Sequence, residues 1–460
     1  MSRTFRLIPL LLTLATAALG AEYVAPPLPA EVKFPSDKVV KITDVGAVAD
    51  GATLCTDAIA KAIDQCAAAG GGIVELPKTD KGAEYLSGPI RMKSNITLQV
   101  DEGVTLKFST DHKLYPLVKT RYESVDIMNF SPLIYACQCE NIRITGKGTL
   151  DGQGRAWWTW AQQNTGGRRL MPQYTNDRTG QFPIEQRVFG DTNPGYRTCF
   201  IEPYECKNVL IEGVTLHASP FWNIHPLYST NVIVRGVTVF GDGGPNTDGC
   251  DPDSCKTVLI EKCNFTTGDD CIAIKSGRDG DGIRKNAPCE NITIRDCVMK
   301  GGHGAVTIGS ETSAGIKHVF AENCQVDGPD SAIRLKSTRG RGGGIEDVYI
   351  RNMAVTSTLQ FGITIDMRYT QTAEAPFGET TPVFKNIRIE NFTCGNSKQA
   401  LYVMGLNESR VENVFLKDVT IKAAKGAHLE YVNGFTRENV KITPTSGQEW
   451  ELVNATESKP

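Results

Sequence analysis

Two carboxylates stand side by side at Asp269 and Asp270, in the stretch TGDDCIAIKSG (267–277), just ahead of a short apolar run. Asp and Gly are ordinary turn residues, so the pair taken alone reads as a solvated turn. Other signals change that reading. Asp248 lies in NTDGCDP (246–252), His303 in GGHGAVTIGSE (301–311), and Arg334 and Lys336 in IRLK (333–336). Each falls in or at the mouth of a short run with the alternation of a strand. If those runs stack, three acids, an imidazole and two cations from distant parts of the chain form one patch.

Three carboxylates packed together cannot all ionise easily, because like charges raise one another's pKa. One can hold a proton near neutral pH while the others stay charged. Hydrolysis of a glycosidic bond needs that division: an acid for the leaving oxygen and a base for the attacking water. Carboxyls ~6.5–9.5 Å apart predict inversion and ~5 Å predicts retention; one coil of stacking plus a lateral offset is compatible with the larger figure. Arg334 and Lys336 beside the acids would attract an anionic substrate, and Arg matches a planar carboxylate. A polymer of uronic acids fits. The alternative is that both cations only neutralise the local aspartates.

A recurring phrase supplies the elements that could stack. It reads NIRITG at 141, NVLIEGVT at 208, NVIVRGVT at 231, TVLIEKCNF at 257 and NITIRDCVM at 291. It continues as HVFAENCQV at 318, DVYIRNMAV at 347, NIRIENFT at 386, NVFLKDVTI at 413 and NVKI at 439. Strand signals every two to three dozen residues, with few helical patterns between, fit coils of a parallel β-helix. The uneven spacing is absorbed by loops. The fold expected is therefore all-β, a single-stranded parallel β-helix spanning residues 21–460, with an N-terminal capping segment at about 40–75.

The sixth residue after each phrase start from 208 onward is Val214, Val237, Cys263, Cys297, Cys324, Met353, Phe392 and Val419. These form one inward apolar column, which makes the three cysteines small core residues. Cys55 and Cys66 bracket an amphipathic helix with Ile59, Ala62, Ile63 and Cys66 on one face. Its eleven residues rise ~16 Å, too far for a disulfide. A second alignment sets CDPD (250–253), IAIK (272–275), VTIG (306–309) and IRLK (333–336) in register. It points Arg334 and Lys336 outward, sets Asp248 level with Asp270, and sets His303 level with Asp269 one coil on.

These motifs, in this order, resemble the four signature motifs of the polygalacturonases, glycoside hydrolase family 28. YLSGPIRMKSNITLQVDEGVTLKFS and GTLDGQGRAWW upstream resemble bacterial members, and the likeness covers roughly residues 40–440. The resemblance implies a right-handed parallel β-helix that hydrolyses α-1,4-galacturonan with inversion and without a metal or other cofactor. It implies Asp269 as general acid, Asp248 and Asp270 as the pair that positions and activates water, and His303 as the neighbour that holds the acid's ionisation. Arg334 and Lys336 would bind the uronate carboxylate, Asn246 would line the cleft, and Tyr369 would contact substrate. Two other functions use the same residues. A pectate-lyase-like eliminase would hold Ca²⁺ on the aspartates and use Arg334 or Lys336 as base. A non-catalytic β-helix would only bind the polymer.

Composition fits this class. The 460 residues are 40% hydrophobic and 22% charged, enough for a large core. The formal net charge is −3, with no basic run, so no nucleic-acid partner is expected. Residues 1–20 read as a secretory signal: Arg3 and Arg6, then an apolar stretch to about Leu19, then small residues. No other stretch is apolar enough to span a bilayer. A secreted monomer, periplasmic or extracellular, is expected. Trp157, Trp158 and Trp160 could stack on sugars or pack a loop. The stretch 165–200 is a long insertion on one coil that could wall one end of a cleft and favours cutting from a chain end.

Overall fold

The computed structural model describes residues 24–80, 82–163, 172–190, 196–370 and 373–458. The signal segment 1–20 lies outside them. The chain winds as a right-handed parallel β-helix. One face stacks the recurring phrase in strict register: Ile142, Val209, Val232, Val258, Ile292, Val319, Val348, Ile387 and Val414 are successive partners. A second face stacks Leu106, Leu150, Leu216, Val239, Phe265, Met299 and Val326. The third face carries the site. It runs from Ile134 through Ile201, Ile224, Cys250, Ile272, Val306 and Ile333 to Ile363 and Leu401.

The first letter of each phrase has a backbone reason. Asn141, Asn208, Asn231, Asn291, Asn386 and Asn413 all take a left-handed conformation, with φ between 55° and 61°. Asn tolerates that region better than most residues. The bend it makes turns the chain into the strand, and its side chain bonds the next coil: Asn208 Nδ2 donates to Asn141 Oδ1 at 2.8 Å, and Asn231 Nδ2 to Asn208 Oδ1 at 2.7 Å. Each ladder ties neighbouring coils without constraining loop length elsewhere.

The interior is apolar throughout. Val214, Val237, Cys263, Cys297, Cys324, Met353, Phe392 and Val419 are all buried, and Cys324, Met353, Phe392 and Val419 are register partners. The cysteines are free thiols, as expected of core residues. The helix Thr56–Ala68 covers the N-terminal end and buries Ile59, Ala62, Ile63 and Cys66. Among the described residues no helix is long and apolar enough to cross a membrane.

Two additions lie over the N-terminal part of the third face. One is an antiparallel hairpin, Leu117–Tyr122 with Val125–Phe130. The other is the described part of the insertion, 172–190, whose Tyr174 and Phe189 pack with Tyr122, Tyr196, Phe221 and Trp222. Buried arginines pin both. Arg121 of the hairpin contacts Asp126 at 2.8 Å and Asp253 of the sheet at 2.6 Å. Arg187 of the insertion contacts Asp177 at 2.8 Å and Asp281 at 3.0 Å. The tryptophans serve packing: Trp157 is buried, Trp160 rests on the core beside it, and Trp158 Nε1 donates to the Ser219 carbonyl.

Candidate active site

The expected register holds. Cys250 pairs with Ile272, Ile272 with Val306, Thr307 with Arg334 and Gly309 with Lys336. Inward Ile272, Ile274, Val306, Ile308, Ile333 and Leu335 are fully buried, so the intervening side chains project from the outer face. The bends before the strands put the acids at the strand mouths. The Asp269 carbonyl accepts from the His303 amide, and the Asp270 carbonyl from the Gly249 amide. Asp248, Asp269 and Asp270 consequently each present a carboxylate oxygen within 4.8 Å of the others. That is below the separation usual for a pair flanking one water.

The three acids differ in surroundings. Asp270 is 1% exposed. Lys336 Nζ lies 2.8 Å from its Oδ2 and Arg334 Nη1 3.2 Å from its Oδ1, and Thr307 Oγ1 donates to Oδ1 at 2.9 Å. Burial alone would raise this carboxyl; Lys336 and Arg334 outweigh it and hold Asp270 below the ordinary range. Asp248 has no cation in ion-pair contact among the described residues. Burial pushes its carboxyl well up, and the charges of Asp251 and Asp269 push it further; Lys275 lowers it only from farther away. Of the three, Asp248 is thus the one whose surroundings favour the protonated form and Asp270 the one whose surroundings favour the charged form.

Asp269 is the acid that faces the cleft, with a side chain 17% exposed. His303 Nδ1 lies 3.0 Å from its Oδ1, and Asn246 Nδ2 donates weakly to its Oδ2 at 3.4 Å. The Asp269 hydrogen bond draws the imidazole of His303 above its usual pKa despite partial burial. Tyr369 is 42% exposed, its ring 5.6 Å from the Arg334 guanidinium and 5.3 Å from Lys336 Nζ. Asp248, Asp269, Asp270, His303, Arg334, Lys336, Asn246 and Tyr369 therefore converge. One expectation changes: Arg334 and Lys336 are not free to face a ligand alone, because both are anchored on Asp270.

Several participants escaped the sequence reading. Arg197, from the insertion, donates to Asn246 Oδ1 at 2.7 Å and to the Pro245 carbonyl at 2.5 Å. It orients the turn that carries Asp248, and no motif marks it. Lys275 is buried 3.9 Å from Asp251 and 3.5 Å from Glu311, with Nζ 4.5 Å from the Trp222 ring centroid. Burial opposes its charge, yet Asp251, Glu311 and Asp248 hold it well above the ordinary lysine range. Asp251 itself is pushed up by burial to about 7, moderated by Lys275. The signal for this pair was available: Asp251 and Lys275 occupy outward positions in the aligned strands.

A fold of this kind, with a carboxylate trio and adjoining cations over one sheet, defines a polysaccharide-active β-helix. Comparison narrows the class. The family model for glycosyl hydrolases family 28 matches residues 193–444. A probable polygalacturonase of Vitis vinifera is 31% identical over 84% of this chain and 74% of its own length. An exo-poly-alpha-D-galacturonosidase of Dickeya chrysanthemi is 29% identical over 78% of this chain and 63% of its own. The crystal structure of a hyperthermoactive exopolygalacturonase from Thermotoga maritima is 36% identical, with a TM-score of 0.83, over 93% of this chain and 95% of that one. The chain belongs to glycosyl hydrolase family 28 and groups there with the polygalacturonases.

Proposed function

We propose that this enzyme hydrolyses the α-1,4-galacturonosidic bonds of polygalacturonan from one chain end, with inversion, after export from the cell. The observation that carries the reading is the division of labour among three adjacent carboxyls. Asp269, open to the cleft and hydrogen-bonded to His303, protonates the leaving oxygen. Asp270, held ionised by Lys336 and Arg334, accepts a proton from water, and the protonated Asp248 donates to that same water and aims it. Lys336 and Arg334 keep donors beyond those used on Asp270, and these meet the uronate carboxylate beside the Tyr369 ring.

Attack from a chain end is supported by the asymmetry of the cleft. Upstream of the acids the outward positions of the third face, Glu202, His225 and Asp251, are completely buried. The hairpin and the insertion cover that side. Inversion is supported by two acids held ready for one water, against the short oxygen separation, which taken alone fits retention. The complete site within one chain supports action as a monomer, and the leader-like residues 1–20 support export to the periplasm or beyond.

The test is chromatography of products over time on polygalacturonate, with and without a chelator. Saturated monomer or dimer from the first time point onward, unaffected by the chelator, is expected. Early mixed oligomers overturn the end-cutting mode. Unsaturated products that need calcium identify an eliminase.

A further inference from the structure

A general acid needs its proton on the oxygen that meets the leaving group, and the surroundings of Asp269 decide which oxygen that is. Oδ1 accepts from the Asp270 amide at 2.9 Å and faces His303 Nδ1 at 3.0 Å. It is committed as an acceptor, so the proton belongs on Oδ2. Among the described residues Oδ2 has one hydrogen-bond neighbour, Asn246 Nδ2, at a long 3.4 Å. What the Asn246 amide presents to Oδ2 therefore matters. Its NH2 group can only donate, and it leaves the acid's proton unclaimed. Its oxygen would accept that proton and hold it back from the glycosidic oxygen.

Asn246 does not set this orientation by itself. It stands half-buried at the cleft, on a left-handed backbone with φ of 56°. Arg197 Nη2 donates to its Oδ1 at 2.7 Å. A guanidinium carries donors and no acceptor, so the amide oxygen has to face Arg197 and the NH2 has to face Asp269. A flipped amide would set N–H against N–H. Arg197 is itself fixed in place. It is 2% exposed, its Nη1 donates to the carbonyls of Pro245 at 2.5 Å and Pro220 at 3.2 Å, and its guanidinium lies 4.9 Å from the Phe221 ring centroid. Those two carbonyls belong to successive coils, since Ile224 pairs with Cys250, so the guanidinium is tied to the frame of the solenoid.

We infer that Arg197 is a positioning residue for the general acid: it locks the Asn246 amide so that Asp269 Oδ2 meets a donor and the acid's proton stays free for the leaving oxygen. The inference rests on the functional reading above, in which Asp269 protonates that oxygen as the glycosidic bond breaks and the bonding electrons stay with the oxygen. The charged and titratable groups around Asp269 are Asp248, Asp251, Asp270, His303 and Arg334. All of them are left in place when Arg197 is replaced.

The experiment measures kcat, KM and the pH–rate profile on polygalacturonate for the wild type, Arg197→Met, Asn246→Ala and the double variant. Without Arg197 the amide oxygen can turn to Oδ2 and hold the proton by one hydrogen bond. Arg197→Met is expected to lower kcat about fivefold, the worth of one such bond, with KM within about twofold. Its alkaline limb should rise by about half a pH unit, because a hydrogen-bonded acid gives up its proton later. A smaller fraction of folded enzyme would lower kcat and leave that limb where it was. Asn246→Ala removes the group that can turn, so adding Arg197→Met to it should change neither kcat nor the alkaline limb further. Should Arg197→Met fail to fold by circular dichroism, Asn246→Asp decides: it keeps an oxygen for Arg197, sets another against Asp269, and should raise the alkaline limb. An alkaline limb unmoved in the deciding variant, or losses from Arg197→Met and Asn246→Ala that simply multiply, overturns the lock. Near wild-type turnover by Asp269→Asn overturns the functional reading instead, so the two failures are told apart.

Discussion

Replacing Lys336 by Met would remove one of two cations from a buried carboxylate. Lys336 Nζ lies 2.8 Å from Asp270 Oδ2. At an effective dielectric of 20 that distance corresponds to about 6 kcal/mol of attraction before desolvation is counted. Breaking a buried pair typically costs about 3–5 kcal/mol. Asp270 keeps Arg334 at 3.2 Å and Thr307 at 2.9 Å, so the low end, about 3 kcal/mol, is expected. The sign with pH follows from the depressed carboxyl. Ionised Asp270 stabilises the fold above its unfolded pKa of about 4, and that stabilisation is lost as pH falls through the lower folded value. The deficit of Lys336→Met in urea midpoint should therefore be full at pH 7 and shrink below pH ~4. The acid limb of its pH–rate profile should move to higher pH, because Asp270 protonates more readily. A variant as stable as the wild type at pH 7, with its acid limb unmoved, would refute the claim that Lys336 holds Asp270 ionised.

Three further outcomes test the assigned chemistry. Asp269→Asn should fold normally by circular dichroism and lose about 10²–10⁴ in kcat on polygalacturonate, the usual contribution of a general acid; near wild-type turnover removes Asp269 from that role. His303→Gln should lower kcat and change the alkaline limb of the pH–rate profile, which in the wild type is expected above the ordinary imidazole range because the Asp269 hydrogen bond raises the His303 pKa. An unchanged alkaline limb assigns it to another group. Proton NMR of the first product should show the β-anomer, as inversion requires; an α-anomer appearing first means that the short carboxylate spacing reports a retaining mechanism.

Much of the fold was legible because a β-helix repeats its physics. Strand alternation, a left-handed residue at each phrase start (most often Asn) and the inward Val–Cys–Met–Phe column recur coil after coil, so errors at one coil are corrected by the next. The register of the catalytic strands followed from the same regularity, since a slip of one residue would have turned Ile272, Val306 and Ile333 outward. The hairpin Leu117–Tyr122 with Val125–Phe130 was not anticipated, because it occurs once and its alternation reads like any other strand pair.

The site was legible for the same reason, up to the point where repetition ends. Asp248, Asp270 and His303 could be stacked from spacing alone, but the charge each would carry could not. That depends on what stands behind it: two cations in contact with Asp270, but for Asp248 only the more distant pull of Lys275, outweighed by burial and by Asp251 and Asp269. The opposite directions in which these two buried aspartates are pushed depend largely on Lys336, 66 residues away from Asp270, and on Arg334 beside it. Burial of the upstream side depends on Arg121 and Arg187, which reach Asp253 and Asp281 from non-repeating segments. Repetition in the sequence therefore fixes where functional groups stand on a solenoid. The irregular insertions decide which stretch of that surface is open to a polymer, and so whether the same acids meet a chain in its middle or at its end.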